Sequence, residues 1–162
     1  MDYGEDLRKI HIGTDHAGFE LKEALVEYLE QKGFNVIDHG AYEFDEEDDY
    51  VDYVAPVARE VSSDHESKGI ILGGSGQGEA MLANRFPGVR AVAYYGGDDL
   101  VDSRDGLGIL ALSRLHNDSN VLSLGARFLS EDQAKEALET WLETEFDGDE
   151  KYARRIVRMD QV

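Results

Sequence analysis

Between Lys68 and Asn84 the chain reads Lys-Gly-Ile-Ile-Leu-Gly-Gly-Ser-Gly-Gln-Gly-Glu-Ala-Met-Leu-Ala-Asn. A short apolar run, Gly69 to Leu72, gives way to Gly73-Gly74-Ser75-Gly76-Gln77-Gly78, and a helix-like segment from Glu79 to Phe86 follows. That order is a buried strand, a glycine-rich turn and a helix N-terminus. Glycines let backbone N–H groups converge, and the helix dipole adds partial positive charge at the same place. Such a cup suits a phosphate, a carboxylate, or an oxyanion that forms only during reaction. Glu79 at its mouth would repel a bound phosphate. It is, however, placed to take a proton from a carbon whose neighbouring oxygen sits in the cup. The stretch reads as a base beside an oxyanion hole. A packing turn whose acidic residue merely complements the dipole stays open as the alternative. The dinucleotide fingerprint fails, because Glu79 falls where its third glycine belongs, and no Gly-Lys-Ser/Thr follows to make a P-loop.

Composition narrows the partners. Sixteen basic residues against thirty-five acidic ones leave a formal charge of −19. That field opposes nucleic acid and anionic membranes, and it opposes an anionic substrate unless a local basic cluster overrides it. Arg127, Lys151, Arg154, Arg155 and Arg158 provide such a concentration. The absence of cysteine removes disulfides, thiolate metal sites and a cysteine nucleophile. Apolar runs are too short to span a bilayer, and Met1 to Asp6 lacks the basic and apolar regions of a secretory signal. A cytoplasmic protein is the default, and 162 residues suit one domain.

The elements that must position these groups alternate along the chain. Arg8 to Gly13 reads as a first strand, broken by Thr14-Asp15-His16-Ala17-Gly18. Leu21, Ala24, Leu25, Tyr28 and Leu29 form one apolar helix face, with Gly33 at its C-terminal end. Asn35 to Asp38 is a second strand, followed by His39 and an acidic run, Glu43 to Asp49, read as a solvated loop without EF-hand spacing. Tyr50 to Val61 makes a second amphipathic helix. After the central loop come a strand from Val89 to Tyr95, a glycine- and aspartate-rich loop from Gly96 to Gly108, and a helix ending near His116-Asn117. A fifth strand, Asn120 to Gly125, precedes a helix with a Ser130/Gln133 capping box. A short terminal helix over about 149–159 carries Ile156 and Val157 inward. Strands alternating with helices imply a three-layer, doubly wound, Rossmann-like sandwich with a five-stranded parallel sheet. Ligands in such sheets sit beyond the carboxyl ends of the strands. Asp15, His16, His39, the Gly74–Glu79 loop, Tyr95 and Arg127 all fall there. His11 falls in the first strand, His39 could face the site but is read as structural, and the Tyr94-Tyr95 pair is given a packing role, with Tyr95 also able to close the pocket.

At these residues the sequence resembles the ribose-5-phosphate isomerase B family, which includes the subunits of galactose-6-phosphate isomerase. The likeness rests on Gly13-Thr14-Asp15-His16-Ala17-Gly18-Phe19-Glu20-Leu21-Lys22 and on Gly74-Ser75-Gly76-Gln77-Gly78-Glu79 with Ala83-Asn84. Pro87-Gly88-Val89-Arg90-Ala91, His116-Asn117 with Asn120-Val121-Leu122, and Leu124-Gly125-Ala126-Arg127 complete it. The resemblance implies an aldose–ketose isomerase acting on a sugar phosphate through a cis-enediolate, without metal or cofactor. One branch of the family uses a cysteine just after the third strand, where this chain has Gly73. The other uses a glutamate placed like Glu79. By the same likeness Asp15 and His16 contact the sugar and His116 is the acid for ring opening. Gly74, Ser75, Gly76, Gln77 and Gly78 hold the oxyanion, Asn117 binds substrate, and Arg127, Lys151 and Arg155 hold the phosphate. Homodimers or tetramers with shared sites are implied, the terminal helix contributing to the dimer or the phosphate site. Two departures stand out. The Gly96–Gly108 segment is longer than usual, and Lys151-Tyr152 replaces an arginine and a frequent histidine. Pentose phosphate is the leading substrate. A hexose phosphate, or a binding module without turnover, is the competing expectation.

Overall fold

The computed structural model describes residues 8–97 and 99–162. Met1 to Asp6, where the absence of a secretory signal was read, lies outside the described residues, as does Asp98 in the long loop. The elements run β1 (Lys9–Thr14), α1 (Phe19–Gln31), β2 (Asn35–Asp38), α2 (Tyr50–Ser63), β3 (Lys68–Gly73) and α3 (Gln77–Ala83). They continue with β4 (Ala91–Tyr94), α4 (Ile109–Asn117), β5 (Val121–Gly125), α5 (Glu131–Glu143) and α6 (Glu150–Met159). All pairings in the five-stranded sheet are parallel, in the order β2-β1-β3-β5-β4. The fold is the α/β sandwich that the alternation predicts. Among the described residues no helix is long and apolar enough to cross a membrane.

Strand parity sorts the two layers. Ile70 and Leu72 of β3 join Ile10, Ile12, Leu122 and Leu124 in a core shared with Leu25 and Leu29 of α1 and with Ala134, Leu138 and Trp141 of α5. Ile71 and Val121 point to the other face, against Val54, Val57, Ala58 and Val61 of α2 and Ala83 of α3. Strands buried on both faces read as continuous apolar runs, which is why β3 and β5 were legible. The Ser130/Gln133 capping box forms, Gln133 N–H donating to Ser130 Oγ at 3.2 Å and Ser130 N–H to Gln133 Oε1 at 2.9 Å.

Two expectations need correcting. Val157 of α6 is 56% exposed and Ile156 only partly buried, so the terminal helix turns no buried apolar face to this chain. The acidic run is not wholly solvated either. Glu43 to Glu47 are exposed, but the Asp48 side chain is 5% exposed. His11 of β1 and His39 after β2 form a pair that the residues did not announce, with Nδ1 and Nε2 2.9 Å apart and both pKa values lowered, chiefly by burial.

Lys22 ties α1 to the end of β2. Its side chain is fully buried, yet the ammonium donates to Asp38 Oδ2 at 2.6 Å and lies 3.0 Å from Glu23. Asp38 in turn accepts from Gly40 N–H at 2.8 Å, just beyond the strand. A buried cation is tolerated only while its counter-ion stays. Asp38→Ala should therefore destabilise the protein by about 3 kcal/mol in equilibrium urea unfolding. Lys22→Met should cost far less, because Asp38 keeps the Gly40 amide and water.

Candidate active site

After β1 the chain leaves the sheet to form β2 on one side, and it then returns to place β3 on the other. This reversal opens a crevice at the carboxyl ends of β1 and β3, the ordinary ligand position in such sheets. Asp15 follows β1 and the glycine loop follows β3, so the two segments singled out by residue type become neighbours. Gly76 is the turning point, with φ +74° in the left-handed region that glycine enters without strain. Its carbonyl accepts from Ser123 Oγ at 2.5 Å, which anchors the loop to β5. Arg127 joins from beyond β5. Its N–H donates to Gly74 O at 3.1 Å. Its guanidinium lies over Gly74, 3.1 Å from where a Cβ there would stand.

Glu79 sits in the first turn of α3 and is 5% exposed. Its carboxylate fills the space above Gly73. A Cβ at Gly73 would lie 1.8 Å from Oε1 and 2.1 Å from Cδ. A glutamate here and any side chain at position 73 thus exclude one another. No cation pairs with Glu79 among the described residues. Burial pushes its pKa above the ordinary 4.5, its own backbone N–H opposes the shift, and Asp15 adds to it. Burial, whose weight the residues alone left open, outweighs the opposing backbone amide.

Asp15 is also buried and accepts from Ala17 N–H at 3.0 Å. Burial raises its pKa against the pull of that amide and of nearby His16 and Arg127. His16 Nδ1 is 2.7 Å from Asp48 Oδ1, which also accepts from His16 N–H at 3.0 Å. Asp15, His16 and Asp48 bring polar atoms within 4.8 Å of one another. Nδ1 and Oδ1 are spent on each other, so this is a hydrogen-bonded pair rather than a ligand set. His16 and Arg127 line an open pocket with Phe44, Glu46 and Glu47.

The other expected residues lie elsewhere. α4 returns to the amino edge of the sheet, and His116 and Asn117 end it there. Arg90, one residue before β4, donates through Nε to Asn117 O at 3.0 Å. His116 stacks on Tyr152 of α6, with ring centroids 4.1 Å apart and an interplanar angle of 17°. Lys151 Nζ and the Arg155 guanidinium lie 4.7 and 5.9 Å from the Tyr152 centroid. One chain therefore holds two groups: Asp15, His16, Ser75, Glu79 and Arg127 at the carboxyl edge, and His116, Asn117, Lys151 and Arg155 at the amino edge. A five-residue strand separates edges by roughly 16 Å.

Two residues escaped the sequence reading. Asp48 was hidden inside an acidic run. Tyr50 places its hydroxyl 2.9 Å from where a Cβ on Gly78 would stand, under the loop. The long Gly96–Gly108 segment, expected to reshape the pocket, closes through a bridge between Val101 and Gly108. Gly97 and Gly108 border a cavity of about 260 Å³ against Leu110, Ala137 and Thr140, with neither Asp15 nor Glu79 in its lining. Tyr94 is buried, whereas Tyr95 is 47% exposed and lies 6.0 Å from Phe128.

Residues 10–159 match the family model described as Ribose/Galactose Isomerase. The chain is 34% identical over 148 residues to ribose-5-phosphate isomerase B of Mycolicibacterium paratuberculosis, covering 91% of this chain and 87% of that one. Identity to the Escherichia coli protein of that name is 36% over 142 residues, 88% of each chain. Among solved structures, ribose-5-phosphate isomerase B of Mycoplasma genitalium with bound ribulose-5-phosphate superposes with a TM-score of 0.85, at 33% identity and 94% coverage of both chains. The Thermotoga maritima structure gives 0.82 at 39% identity, covering 96% of this chain and 99% of that one.

A buried carboxyl whose folded pKa is raised contributes stability below its unfolded pKa and loses it as pH rises through the folded value. Glu79→Gln should therefore raise Tm at neutral pH. The gain should shrink toward zero as pH falls to the ordinary glutamate value of 4.5. Thermal melts across that range check it.

Proposed function

The chain belongs to the ribose/galactose isomerase family, and from that premise we propose that it interconverts ribose 5-phosphate and ribulose 5-phosphate, with Glu79 as the base. The observation that carries this reading is the Glu79 carboxylate, buried above Gly73 and beside the glycine loop with no counter-ion among the described residues. Moving the carbonyl from C1 to C2 takes a proton from C2 and returns one to C1. Both carbons lie on one side of a cis-enediolate, so one carboxylate serves both transfers. The raised pKa suits the task, because a base of higher proton affinity gains more on accepting the proton.

The loop supplies the complement. Main-chain amides of Gly74 to Gly78 and the Ser75 hydroxyl face the oxygen on which charge develops, where a lost donor typically costs about 2.7–4 kcal/mol. Asp15 and His16 hold the sugar hydroxyls, and Arg127 holds the phosphate. The remaining members come from a second copy of the chain. In a two-fold dimer the partner's amino edge, with His116, Asn117, Lys151 and Arg155, meets this chain's carboxyl edge. His116 is then the acid for ring opening, its plane set by the Tyr152 ring. Two observations support the shared site. The two halves lie at opposite edges of one sheet, and α6 exposes Val157 and Met159 beside its cations. Read this way, residues 1–162 form one isomerase domain whose terminal helix serves the dimer. Lys151 supplies a point charge to phosphate rather than a bidentate fork. The reaction is metal-independent and belongs in the cytoplasm. The Mycoplasma genitalium relative solved with bound ribulose-5-phosphate supports a pentose substrate over a hexose phosphate.

Assays on a panel of pentose and hexose phosphates test the reading. Ribose 5-phosphate should be preferred and turnover should survive EDTA. A hexose phosphate favoured by ~100-fold in kcat/KM would overturn the substrate. Glu79→Gln should lower kcat by ~10²–10⁴-fold with little change in KM. Gly73→Ala, which displaces the carboxylate, should cost ~10²-fold. Mixing inactive Glu79→Gln and His116→Ala proteins through a dissociation step should restore about a quarter of wild-type activity, because half of the dimers then carry one intact site.

A further inference from the structure

Burying a carboxylate is unfavourable unless its bonds repay the lost water, so the seclusion of Asp48 within an otherwise exposed acidic run calls for a physical reason. The only hydrogen-bond partner of its carboxylate among the described residues is His16. Oδ1 accepts both His16 N–H at 3.0 Å and Nδ1–H at 2.7 Å, while Oδ2 is buried without a partner. Helix capping does not account for it. The turn at His16–Gly18 already has its cap, Asp15 accepting from Ala17 N–H. What Asp48 adds is a hold on one ring. Phe44, from the same run, stands at right angles to that ring with centroids 6.3 Å apart and itself packs on Phe19 at 6.2 Å, so one side of the imidazole is flanked as well as bonded.

Building on the isomerase reading, we propose that Asp48 is a positioning residue: it holds the His16 imidazole by Nδ1 and leaves Nε2–H facing the pocket beside Arg127 as a donor to the sugar phosphate. An imidazole free to rotate would present either nitrogen, or neither, and its protonation would follow the solvent. Bonded to a buried carboxylate, it keeps one orientation and stays a cation through a wider pH range. The charged groups around it are Asp15 on its own segment, Asp48, Glu46 and Glu47 on the acidic run, Arg127 after β5, and Tyr53 of α2 beyond Asp48. The His16 pKa is raised first by the Asp48 hydrogen bond, against burial and Arg127, with Asp15 reinforcing it. The same contact gives the acidic run a purpose. One of its carboxylates turns inward and favours the charged form of an imidazole in a pocket that the chain's overall charge would otherwise make hostile to phosphate.

Asp48→Asn keeps an acceptor for the backbone amide and removes the charge. In the ligand-free protein the His16 ring resonance, followed by NMR against pH, should titrate lower by about one unit. KM for ribose 5-phosphate should rise roughly tenfold, the equivalent of one such unit, with kcat within about twofold. The pH above which KM climbs should move down in step with the His16 titration. In a His16→Gln background the same substitution should change KM by less than about twofold, as expected of a residue acting through His16. An unchanged His16 titration overturns the proposal, as does an equal KM penalty in the His16→Gln background. If the wild-type protein turns over no sugar phosphate, the isomerase reading fails, while the NMR titration still decides whether Asp48 governs His16.

Discussion

A carboxylate that has no cation can be buried only where neighbouring atoms make room for it, and here the room is a missing side chain. β3 alternates its faces, and Gly69, Ile71 and Gly73 look toward α2 and α3. Because the last of these is glycine, the first turn of α3 can close down until the Glu79 carboxylate occupies the vacant Cβ space. The proximity of α3 to the sheet, the burial of Glu79 and its raised proton affinity all follow from that single substitution pattern. A side chain at position 73 and the Glu79 carboxylate are therefore two fillings of one volume.

The second constraint is topological. In a parallel sheet every connecting helix returns to the amino edge, so residues at the end of a helix and residues at the end of a strand sit far apart. Glu79 opens its helix and Asp15 follows its strand, which puts both at the carboxyl edge. His116 and Asn117 close α4 and lie beside Arg90 at the other. No rearrangement of side chains spans a strand length. A site that needs both groups requires two chains, and α6, amphipathic and cationic, offers the surface by which the second copy would deliver its share.

Charge adds a third layer. A chain of −19 receives an anionic substrate only through local organisation. Arg127 lies across the glycine loop, bonded to it through the backbone, so its side chain stays free for the pocket. His16 depends on Asp48 for its orientation. The remaining carboxylates of the run stay in water, where they cost little and keep the surface soluble.

Much of this was legible beforehand because it is periodic or local. Runs such as Lys68–Gly73 and Val121–Gly125 are apolar on both faces, which marks buried parallel strands, and α5 announces itself through Ser130 and Gln133. The glycine loop followed by Glu79 suggested a base beside an oxyanion cup from residue types alone, with a packing turn as the alternative. Burial was not legible, since residue identity does not say which of several carboxylates leaves water. Asp48 looks like its neighbours until the fold sets it on His16, and Val157 looks like a core residue until α6 is found lying outside the core. Local pattern determined the strands and the helices and marked Glu79 as the candidate base. Only the tertiary structure decided which edge each group occupies, because distances between segments far apart in the chain arise from packing and strand order, which no short stretch encodes.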